Sequence, residues 1–436
     1  MDFRRLAALL PALALLALAA CGEDEVPLPG VRISVLPLVR ALSPDPEIAN
    51  LEIKLPRPQP NREWPQSSGY PNHAMHHLAA GGALALAWSI RVGEGSDDEV
   101  SLLTPPVVGG GLVFTTDALN RVSAIDARSG RRLWSVDLIP EYEEDSVFAG
   151  GLAYADGRLY VTTGLGEVFA LDAARGQAIW RQSLATPIRA QPAVAGGRVF
   201  VITYDNRLFA LSAEDGHELW SYTGLSETAG ILGSGTPAVE GGSVIAPFSS
   251  GELVALSVEG GRVLWIDSLI FQARTGGLAS LSDIQGDPVV DRGTVYAVSH
   301  SGGMVAIDLS TGARVWEQDL SGQHTPWIVG DFIYSMTNDG ELVCVLRENG
   351  RIRWIRELPG YMDPEDREDP IYWSGPLLIG DRLLVAGTNG EVLALSPYTG
   401  KYLSVVRLPD PVRLPPIAAD GTVYLLTEEA RLFALR

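Results

Sequence analysis

The sequence predicts an all-β protein, an eight-bladed β-propeller in which each blade is a four-stranded antiparallel sheet. Three observations lead to this prediction. One strand–turn–strand unit recurs along the chain, a second kind of hairpin recurs between its copies, and glycine and tryptophan keep a fixed spacing inside the first unit. The 436 residues include 47 glycines and 29 prolines, which supply the many turns that a long repeat of short strands requires.

The first unit consists of a strand of the Ala-Leu-Asp type, a turn that closes on glycine, and a strand with tryptophan four residues after that glycine. Small and apolar residues alternate within it with period two, which is typical of β-strands. The glycine supplies the positive φ of a tight turn, and we interpret the tryptophan as packing between neighbouring sheets. The glycine and tryptophan pairs are Gly130 and Trp134, Gly176 and Trp180, Gly216 and Trp220, Gly261 and Trp265, Gly312 and Trp316, and Gly350 and Trp354. In a seventh copy, Gly400 precedes Ser404 instead of a tryptophan.

The second hairpin lies between copies of the first unit and usually begins at a proline. Its eight copies lie near Pro106, Leu152, Pro192, Pro237, Pro288, Pro326, Pro376 and Pro416. The strand around Trp88 is of the tryptophan type, but no strand of the Ala-Leu-Asp type comes before it. The last strand, residues 432–436, is of the Ala-Leu-Asp type, but no tryptophan strand follows it. We therefore predict that these two strands pair and close the ring, which removes the open sheet edges that invite aggregation. A seven-bladed ring with one additional hairpin is the alternative.

The first 20 residues are predicted to be a signal peptide rather than part of the fold. Arg4 and Arg5 precede an apolar stretch, residues 6–20, which is too short to span a bilayer comfortably. The stretch leads into Leu-Ala-Ala-Cys, which resembles the lipobox of bacterial lipoproteins, so Cys21 is predicted to be the lipidated first residue of the mature chain. An ordinary cleaved signal with a chance cysteine is one alternative, and export by the twin-arginine route is another.

The segment after Cys21 differs in composition from the repeats. Residues 21–60 are rich in proline and lack an amphipathic period, so we expect a lipid-anchored, partly disordered tether. The propeller is assigned to residues 61–436, and its first part, with Trp64, is expected to pack onto the blades. Gly22 stands where an inner-membrane retention signal would have aspartate, which favours the outer membrane.

The formal net charge of −20 restricts the kinds of partner. An acidic surface repels phosphate backbones, so we expect no nucleic acid as a partner. The negative charge favours a basic protein as a partner. An ordinary solvated surface that has no partner is the alternative. Two acidic runs, residues 141–145 and 363–369, are interpreted as solvated loops, with contact to a partner as the alternative.

The sequence offers little catalytic chemistry. His73, His76 and His77 form a His-x-x-His-His motif, but no carboxylate or cysteine lies at supporting spacing, so we expect no metal site. Cys344 is the one cysteine besides Cys21, so no internal disulfide is expected in the mature fold. Phosphate-binding loops, dinucleotide fingerprints and nucleophile elbows are absent from the sequence. We therefore expect no catalytic residue, no cofactor and no small-molecule substrate.

The tandem repeat resembles that of the pyrroloquinoline-quinone-type propellers, which include the quinoprotein dehydrogenases. The resemblance implies, for those enzymes, a vicinal cysteine disulfide beside the quinone and calcium ligands with a catalytic aspartate. This sequence has no adjacent cysteines, and it lacks the Cys-x-x-Cys-His motif of a c-type haem. A quinone-dependent dehydrogenase is therefore an alternative hypothesis, as is an envelope propeller that binds polysaccharide or another protein.

An acidic lipoprotein with this repeat resembles, over residues 61–436, the BamB family, lipoproteins of the outer-membrane β-barrel assembly complex. Residues 281–284, Leu-Ser-Asp-Ile, are similar to a characteristic inter-blade loop of that family. The resemblance implies a non-catalytic scaffold that is held in the outer membrane by its lipid anchor and faces the periplasm. The implied partners are the POTRA domains of the barrel-inserting subunit and other lipoproteins of the complex. The implied function is to assist folding and insertion of outer-membrane proteins.

The resemblance also implies a partner-binding patch on two neighbouring loops, which carries over to Ile231, Leu232 and Asp283. Leu232 stands where well-known members of the family have arginine, and Gln285 replaces a second aspartate. These differences favour a more apolar contact than in those members. Topology supports the grouping, because each loop joins a tryptophan strand to the next blade and such loops emerge on one face of a propeller. Inward packing of Ile231 and Leu232 is the alternative.

Overall fold

A computed structural model of the protein describes residues 42–80, 82–97, 100–138, 149–188, 190–226, 234–270, 283–300 and 302–436. Within these residues every element of regular secondary structure is a β-strand. Eight four-stranded antiparallel sheets form a ring, which confirms the predicted eight-bladed β-propeller. No helix in the described residues has the length and apolar character needed to cross a membrane. The predicted signal peptide, Cys21 and residues 22–41 lie outside the described residues.

The strands are numbered in chain order, and β1 (Leu86–Arg91) belongs to the last blade. Blade 1 is β2 (Val107–Gly109), β3 (Leu112–Thr116), β4 (Arg121–Asp126) and β5 (Arg132–Asp137); blade 2 is β6 (Ala149–Ala155), β7 (Arg158–Thr163), β8 (Glu167–Asp172) and β9 (Ala178–Ser183); blade 3 is β10 (Ala193–Ala195), β11 (Arg198–Ile202), β12 (Arg207–Ser212) and β13 (Glu218–Thr223); blade 4 is β14 (Ala238–Glu240), β15 (Ser243–Pro247), β16 (Glu252–Ser257) and β17 (Val263–Ser268). Blade 5 is β18 (Val289–Asp291), β19 (Thr294–Val298), β20 (Met304–Asp308) and β21 (Arg314–Gln318); blade 6 is β22 (Trp327–Val329), β23 (Phe332–Met336), β24 (Glu341–Leu346) and β25 (Ile352–Glu357); a separate hairpin is β26 (Tyr361–Asp363) and β27 (Glu368–Pro370); blade 7 is β28 (Trp373–Ile379), β29 (Arg382–Gly387), β30 (Glu391–Leu395) and β31 (Tyr402–Arg407); blade 8 is β32 (Ile417–Ala419), β33 (Thr422–Leu426) and β34 (Arg431–Leu435), completed by β1.

Blade 8 is the sheet that closes the ring. Strand β1 pairs antiparallel with β34, and the Cα partners run from Leu86 opposite Leu435 to Arg91 opposite Arg431. This is the pairing that the sequence predicted for the strand around Trp88. Because β1 completes the sheet made by the last three strands, each of the eight described blades has four strands.

Most blades repeat one packing unit across three of their strands. An alanine on the third strand stands opposite the tryptophan of the fourth, as Ala210 stands opposite Trp220. An aromatic residue of the second strand packs against the same tryptophan, and the ring centroids of Phe200 and Trp220 are 5.9 Å apart. A small side chain is required between two such rings, because protein interiors are closely packed. Blade 6 has Cys344 at the alanine position, opposite Trp354.

Cys344 is fully buried in this packing unit. Its removal from water raises the pKa of the thiol well above its usual range, so the reactive thiolate does not form at neutral pH. The cysteine therefore acts here as a small apolar residue.

The tryptophans also hold neighbouring blades together. Trp180 of blade 2 packs against Gly216, which lies in the turn between β12 and β13 of blade 3, and the indole N–H donates to Ala213 O at 3.2 Å. Gly216 has a φ of +78°, and a Cβ atom added to it would lie 2.6 Å from the Trp180 ring. Glycine is therefore required both for the turn and for the contact. The donors and acceptors of this kind in the described ring are Trp88 and Ala127, Trp134 and Ala173, Trp180 and Ala213, Trp220 and Val258, Trp265 and Leu309, Trp316 and Arg347, and Trp354 and Pro397.

Ser404 stands where the remaining tryptophan would be, and the topology explains the substitution. Ser404 lies on β31 of blade 7, so the neighbour that it faces is blade 8. Elsewhere the tryptophan contacts the turn between the third and fourth strands of the next blade. In blade 8 these two strands are β34 and β1, which are joined by pairing and not by a turn. A tryptophan at position 404 would have neither the glycine nor the carbonyl acceptor to contact.

Residues 59–80, called the arm here, run around one face of the ring before β1 begins. The arm forms hydrogen bonds with the first strand of each blade, or with the turn after it, in consecutive order from blade 8 through blades 1 to 7. The bonded residues are Asn61 with Ala418 and Asp420, Trp64 with Val108, Pro65 with Tyr154, Gln66 with Val194, Pro71 with Val239, Asn72 with Val290, His76 with Trp327, and Leu78 with Gly380. The arm thus contacts all eight described blades.

The two ends of the arm meet over the junction between blades 7 and 8. Asn61 is bonded to blade 8 and Leu78 to blade 7. Gln59 N donates to His77 O at 2.8 Å, and Ala79 N donates to Gln59 O at 2.9 Å. The arm therefore supplies hydrogen bonds at the junction where the tryptophan is missing.

Residues 42–58 also pack on the ring, against blade 6. Arg351 forms ion pairs with Asp45 and Glu47, each at 2.6 Å. The Arg351 guanidinium beside Asp45 lowers the pKa of that carboxyl. Ile53 is buried in the main apolar core. The packed body therefore includes residues that the sequence assigned to the tether. Contacts such as that of Asp45 with Arg351 join residues far apart in the chain, so they leave no period in the sequence.

The connection after blade 6 carries the acidic run 363–369. In the structure this run belongs to the hairpin of β26 and β27, whose strand residues are all exposed. The interpretation as a solvated segment agrees with this exposure, although the segment is a hairpin and not an irregular loop. The other acidic run, residues 141–145, lies outside the described residues.

The contact between Trp180 and Gly216 provides a test of the inter-blade packing. Gly216→Ala is expected to lower the free energy of unfolding by about 2–4 kcal/mol, because it combines a strained left-handed backbone with overlap on the indole ring. Gly197→Ala is the matched control, since Gly197 has a φ of +73° but open space around its Cβ position, so about 1 kcal/mol is expected. Urea denaturation measures both values. Equal losses would show that the tryptophan contact adds nothing.

Candidate partner-binding face

Two loops that the sequence singled out connect neighbouring blades, and the structure describes only their ends, residues 224–226, 234–237, 269–270 and 283–288. The first connects β13 of blade 3 to β14 of blade 4, and the second connects β17 of blade 4 to β18 of blade 5. In an up-and-down propeller the connections of this kind emerge on one face, which is called the loop face here. Ile231 and Leu232 lie within residues 227–233, outside the described residues, so their role stays a prediction.

The bases of the two loops are joined. Thr236 N in the first loop donates to Asp287 Oδ1 in the second at 2.7 Å. A Cβ atom added to Gly235 would lie 3.0 Å from Ile284 O and 3.1 Å from Gly286 O, so the two backbones are in close contact there. The structure therefore brings together the bases of the two loops that the sequence grouped by topology.

Asp283, the third residue of the predicted patch, has 2% of its surface exposed. Its backbone carbonyl accepts a hydrogen bond from His300 N at 2.9 Å, which connects the loop to blade 5. A carboxylate that is buried in this way does not present its charge to a partner, because its surface is covered by protein. Asp283 therefore belongs to the base of the loop, and its contact with a partner stays a prediction.

Asp287, which the sequence analysis did not single out, connects several parts of the structure. Its carboxylate accepts hydrogen bonds from Ser67 Oγ and Ser68 Oγ of the arm, both at 2.6 Å, besides the bond from Thr236. Its own N–H donates to Thr325 Oγ1, just before blade 6, at 3.0 Å. Several donors stabilise a carboxylate that has been removed from water, so Asp287 holds the arm and blades 4 to 6 together.

The aligned repeats contain a signal that could have identified Asp287. In most repeats a proline opens the first strand of the blade. The residue immediately before that proline lines the channel at the centre of the ring. The channel-lining residues at this repeat position are Pro105, Gln191, Thr236, Asp287, Thr325, Gly375 and Pro415. Asp287 is the only charged residue in this set, and an acidic side chain inside a channel needs hydrogen-bond donors around it.

The channel contains a chamber of about 270 Å³ with the arm at one end. Trp64 of the arm stacks on Trp327 of blade 6, with 6.3 Å between the ring centroids, and the Trp327 N–H donates to His76 O at 2.8 Å. Polar side chains, including Gln191 and Asp287, complete the wall. The chamber therefore offers both apolar contact and hydrogen bonds.

The histidines of the His-x-x-His-His motif hold the arm in place on different blades. His73 Nδ1 donates to Pro288 O at 2.8 Å, next to blade 5. His77 Nε2 accepts a hydrogen bond from Asp381 N of blade 7 at 3.2 Å. Among the described residues, no three His, Cys, Asp or Glu side chains are arranged to hold a metal ion.

The network around Asp287 predicts the effect of removing its carboxylate. Asp287→Ala is expected to lower the free energy of unfolding by about 2–4 kcal/mol, because it leaves buried donors of the arm and of blade 4 without an acceptor. Amide hydrogen exchange should rise in the arm. The control is Asp137→Ala, which breaks an exposed ion pair with Arg121 worth at most about 1 kcal/mol. Unchanged exchange in the arm of the Asp287 variant would contradict the assigned role.

Comparison with known proteins identifies the family. A family model described as outer membrane protein assembly factor BamB matches residues 84–145 and 118–356, which together are more than half of the chain. The protein of that name from Escherichia coli strain K12 is 24% identical over 356 residues, which cover 80% of this chain and 88% of the relative. The one from Moranella endobia is 27% identical over 352 residues, which cover 71% and 89%. For the one from Alkalilimnicola ehrlichii, 29% identity extends over 160 residues, which cover 36% of this chain and 39% of the relative.

Solved structures agree with the described fold. BamB from Moraxella catarrhalis superposes with a TM-score of 0.69 at 22% identity. The superposition covers 81% of this chain and 100% of that chain. Quinohemoprotein alcohol dehydrogenase from Comamonas testosteroni superposes with a TM-score of 0.64 at 15% identity, over 86% of this chain and 80% of that chain. At these identities the structural likeness shows the fold alone. The family model decides between assembly factors and quinohemoprotein dehydrogenases, because it matches the assembly factors. The chain therefore belongs to the BamB family of outer membrane protein assembly factors.

Proposed function

We propose that this protein is a non-catalytic scaffold of the machinery that assembles β-barrel proteins in the outer membrane. The observation that carries the proposal is the match to the assembly-factor family over residues 84–145 and 118–356. The relatives in that family bear the name of assembly factors. A scaffold needs a rigid surface with loops placed on it, and a closed ring with loops on one face supplies such a surface.

The partner that we propose for the loop face is the set of POTRA domains of the barrel-inserting subunit. The joined bases of the two loops support this proposal, because they hold neighbouring loops at a fixed spacing. Ile231 and Leu232 would supply apolar contact, since apolar side chains in a surface loop are typical of interaction sites. The buried Asp283 would position the second loop from below. Other lipoproteins of the machinery are further proposed partners.

The proposed location is the outer membrane, with the ring facing the periplasm. Cys21 would carry the acyl chains, and two or more chains hold a protein at a membrane far more stably than one. Residues 22–41 connect this anchor to the packed body and would span at most about 70 Å when fully extended. That length would allow the loop face to reach partners at some distance from the bilayer.

Two other functions are distinguished from this proposal by simple measurements. A quinone-dependent dehydrogenase would show cofactor absorbance and would reduce a dye after reconstitution with quinone and calcium. An envelope propeller for polysaccharide or another protein would not bind POTRA domains. The sequence has no adjacent cysteines, and Cys344 lies buried in a strand, both of which favour the scaffold.

Binding to POTRA domains is expected to depend on the apolar residues of the first loop. The mature chain should co-purify with purified POTRA domains at micromolar concentration. Ile231→Asp combined with Leu232→Asp should weaken binding at least about tenfold, because it places charges in an apolar contact. No co-purification of the unaltered chain at that concentration would count strongly against the proposal.

Two further variants complete this experiment. Ile179→Asp is the matched control, since Ile179 is an exposed apolar residue on the outer strand of blade 2, and its replacement should leave the affinity unchanged. Asp283→Asn keeps the shape of the buried side chain and removes its charge. A loss as large as that of the double variant would assign the Asp283 charge to the contact itself.

Lipid anchoring is tested by replacing residues 1–21 with a cleavable signal peptide that has no lipobox. The resulting chain is expected to leave the outer-membrane fraction for the soluble periplasmic fraction, because it lacks the acyl chains. A chain with the same new signal peptide and the original Leu-Ala-Ala-Cys should stay in the membrane fraction. If the chain without Cys21 remains in the membrane fraction, the proposed anchor is wrong.

A further inference from the structure

Two large apolar side chains are exposed where the two loops leave the ring. Leu225, at the start of the first loop, has 63% of its surface exposed, and Ile270, at the start of the second, has 56%. Each follows the tryptophan of its own blade by five residues, so both occupy the same repeat position. The other described residues at this position, counted from Ser404 in blade 7, are Gly93, Ala185, Ser321, Pro359 and Pro409. Among the described copies, only blades 3 and 4 therefore present a large aliphatic side chain there.

We infer that Leu225 and Ile270 form the apolar contact that determines which partner binds the loop face, and that an apolar side chain of a POTRA domain packs between them. This inference rests on the proposed function, because it takes the POTRA domains as the occupant. It extends the predicted patch of Ile231 and Leu232 to two residues whose positions the structure describes.

The backbone of Leu225 is held by hydrogen bonds through both its N–H and its carbonyl. The N–H donates to Glu252 Oε2 of blade 4 at 2.8 Å, and the carbonyl accepts from Asn206 Nδ2 at 2.7 Å. Asn206 is buried and lies in the turn between β11 and β12 of blade 3. Because this backbone is fixed before a partner arrives, a contact with the Leu225 side chain costs little additional conformational entropy.

The turn between β15 and β16 of blade 4 contains residues 249–251, Ser-Ser-Gly, and lies between the starts of the two loops. On the side of the first loop, Ser249 Oγ donates to Asn206 Oδ1 at 3.0 Å. On the side of the second loop, Leu269 N donates to Gly251 O at 2.8 Å. Only short side chains therefore separate the two exposed aliphatic ones. The space above this turn, called the notch here, can accept a side chain from a partner.

The segments that carry the two exposed side chains are packed on the ring. A Cβ atom added to Gly224 would lie 3.3 Å from the ring of Phe248, which is fully buried. Leu269 is also fully buried, and its carbonyl accepts a hydrogen bond from Ser299 Oγ at 3.1 Å. The residues that precede Leu225 and Ile270 are thus fixed against blades 4 and 5, so the ring sets the width of the notch.

The position of the notch connects it with the proposed partner. A single exposed leucine is common on protein surfaces and needs no explanation. Here two aliphatic side chains stand at one repeat position of neighbouring blades, and the chain continues from them into the loops that carry Ile231, Leu232 and Asp283. The notch is therefore continuous with the proposed contact, and its apolar walls favour an apolar side chain of the same partner.

The affinity of the mature chain for purified POTRA domains, measured by calorimetry, tests the inference. Leu225→Ser combined with Ile270→Ser should weaken binding at least about tenfold, because apolar contact is lost without a change in net charge. The urea midpoint of unfolding should stay the same, since both side chains are exposed. If the unaltered chain binds and this variant binds equally well, the inference is wrong and the proposed function stands. If the unaltered chain does not bind, both are wrong.

A matched control separates the notch from a general effect of apolar surface. Leu219→Ser combined with Ile266→Ser removes the same two residue types from the outer strands of the same two blades, where these side chains are also exposed. Binding should stay within about twofold of that of the unaltered chain, because these strands lie outside the loop face. Equal weakening by the two double variants would show that the notch has no special role and would overturn the inference.

Asn206 is a positioning residue in this inference, and it provides a second test. Asn206→Asp keeps the size of the side chain and an acceptor for Ser249, but it removes the donor to Leu225 O. Binding should weaken about three- to tenfold, and this loss should disappear in the Leu225→Ser chain, which has no aliphatic side chain to position. Asn120→Asp, in the corresponding turn of blade 1, is the control and should leave the affinity unchanged. An equal loss in both chains would remove Leu225 from the contact and contradict the inference.

Discussion

The ring depends on one repeated contact, in which the tryptophan of one blade packs on the glycine turn of the next and donates its N–H to a backbone carbonyl there. The contact buries a large apolar ring and satisfies its single polar atom at the same time. Because Trp88 on β1 makes this contact with blade 1, the strand that closes blade 8 also joins blade 8 to its neighbour. The loop face and the arm are positioned by the ring that these contacts hold together.

Local and repeated features were predictable from the sequence. The spacing of Gly216 and Trp220 and the pairing of β1 with β34 follow from patterns that recur along the chain, so the repeat reveals them. The course of the arm does not follow from any repeat. Ser67 and Asp287, for example, are 220 positions apart and form a contact that occurs once in the described structure. A single contact between distant residues leaves no period by which the sequence could reveal it.

The candidate site was predictable only in part, for a related reason. Topology brought the two loops together, and the close contact of Gly235 with Ile284 and Gly286 confirms that their bases adjoin. The sequence of the second loop did not reveal that Asp283 is buried, because burial depends on what the rest of the fold places over a residue. The resemblance to the family implied a partner-binding role for Asp283, and the structure shows the residue buried at the base of the loop.

The pairing of β1 with β34 has a consequence for the biogenesis of this chain. Synthesis proceeds from the N-terminus, so the arm and β1 are made first, but their partners in blades 6 to 8 are made last. Strand β1 must therefore wait, unpaired, until nearly the whole chain has emerged. During that interval the nascent protein exposes strand edges and apolar surface, which is the state most prone to aggregation. A ring completed by its own first strand can form only after translation, in one late step.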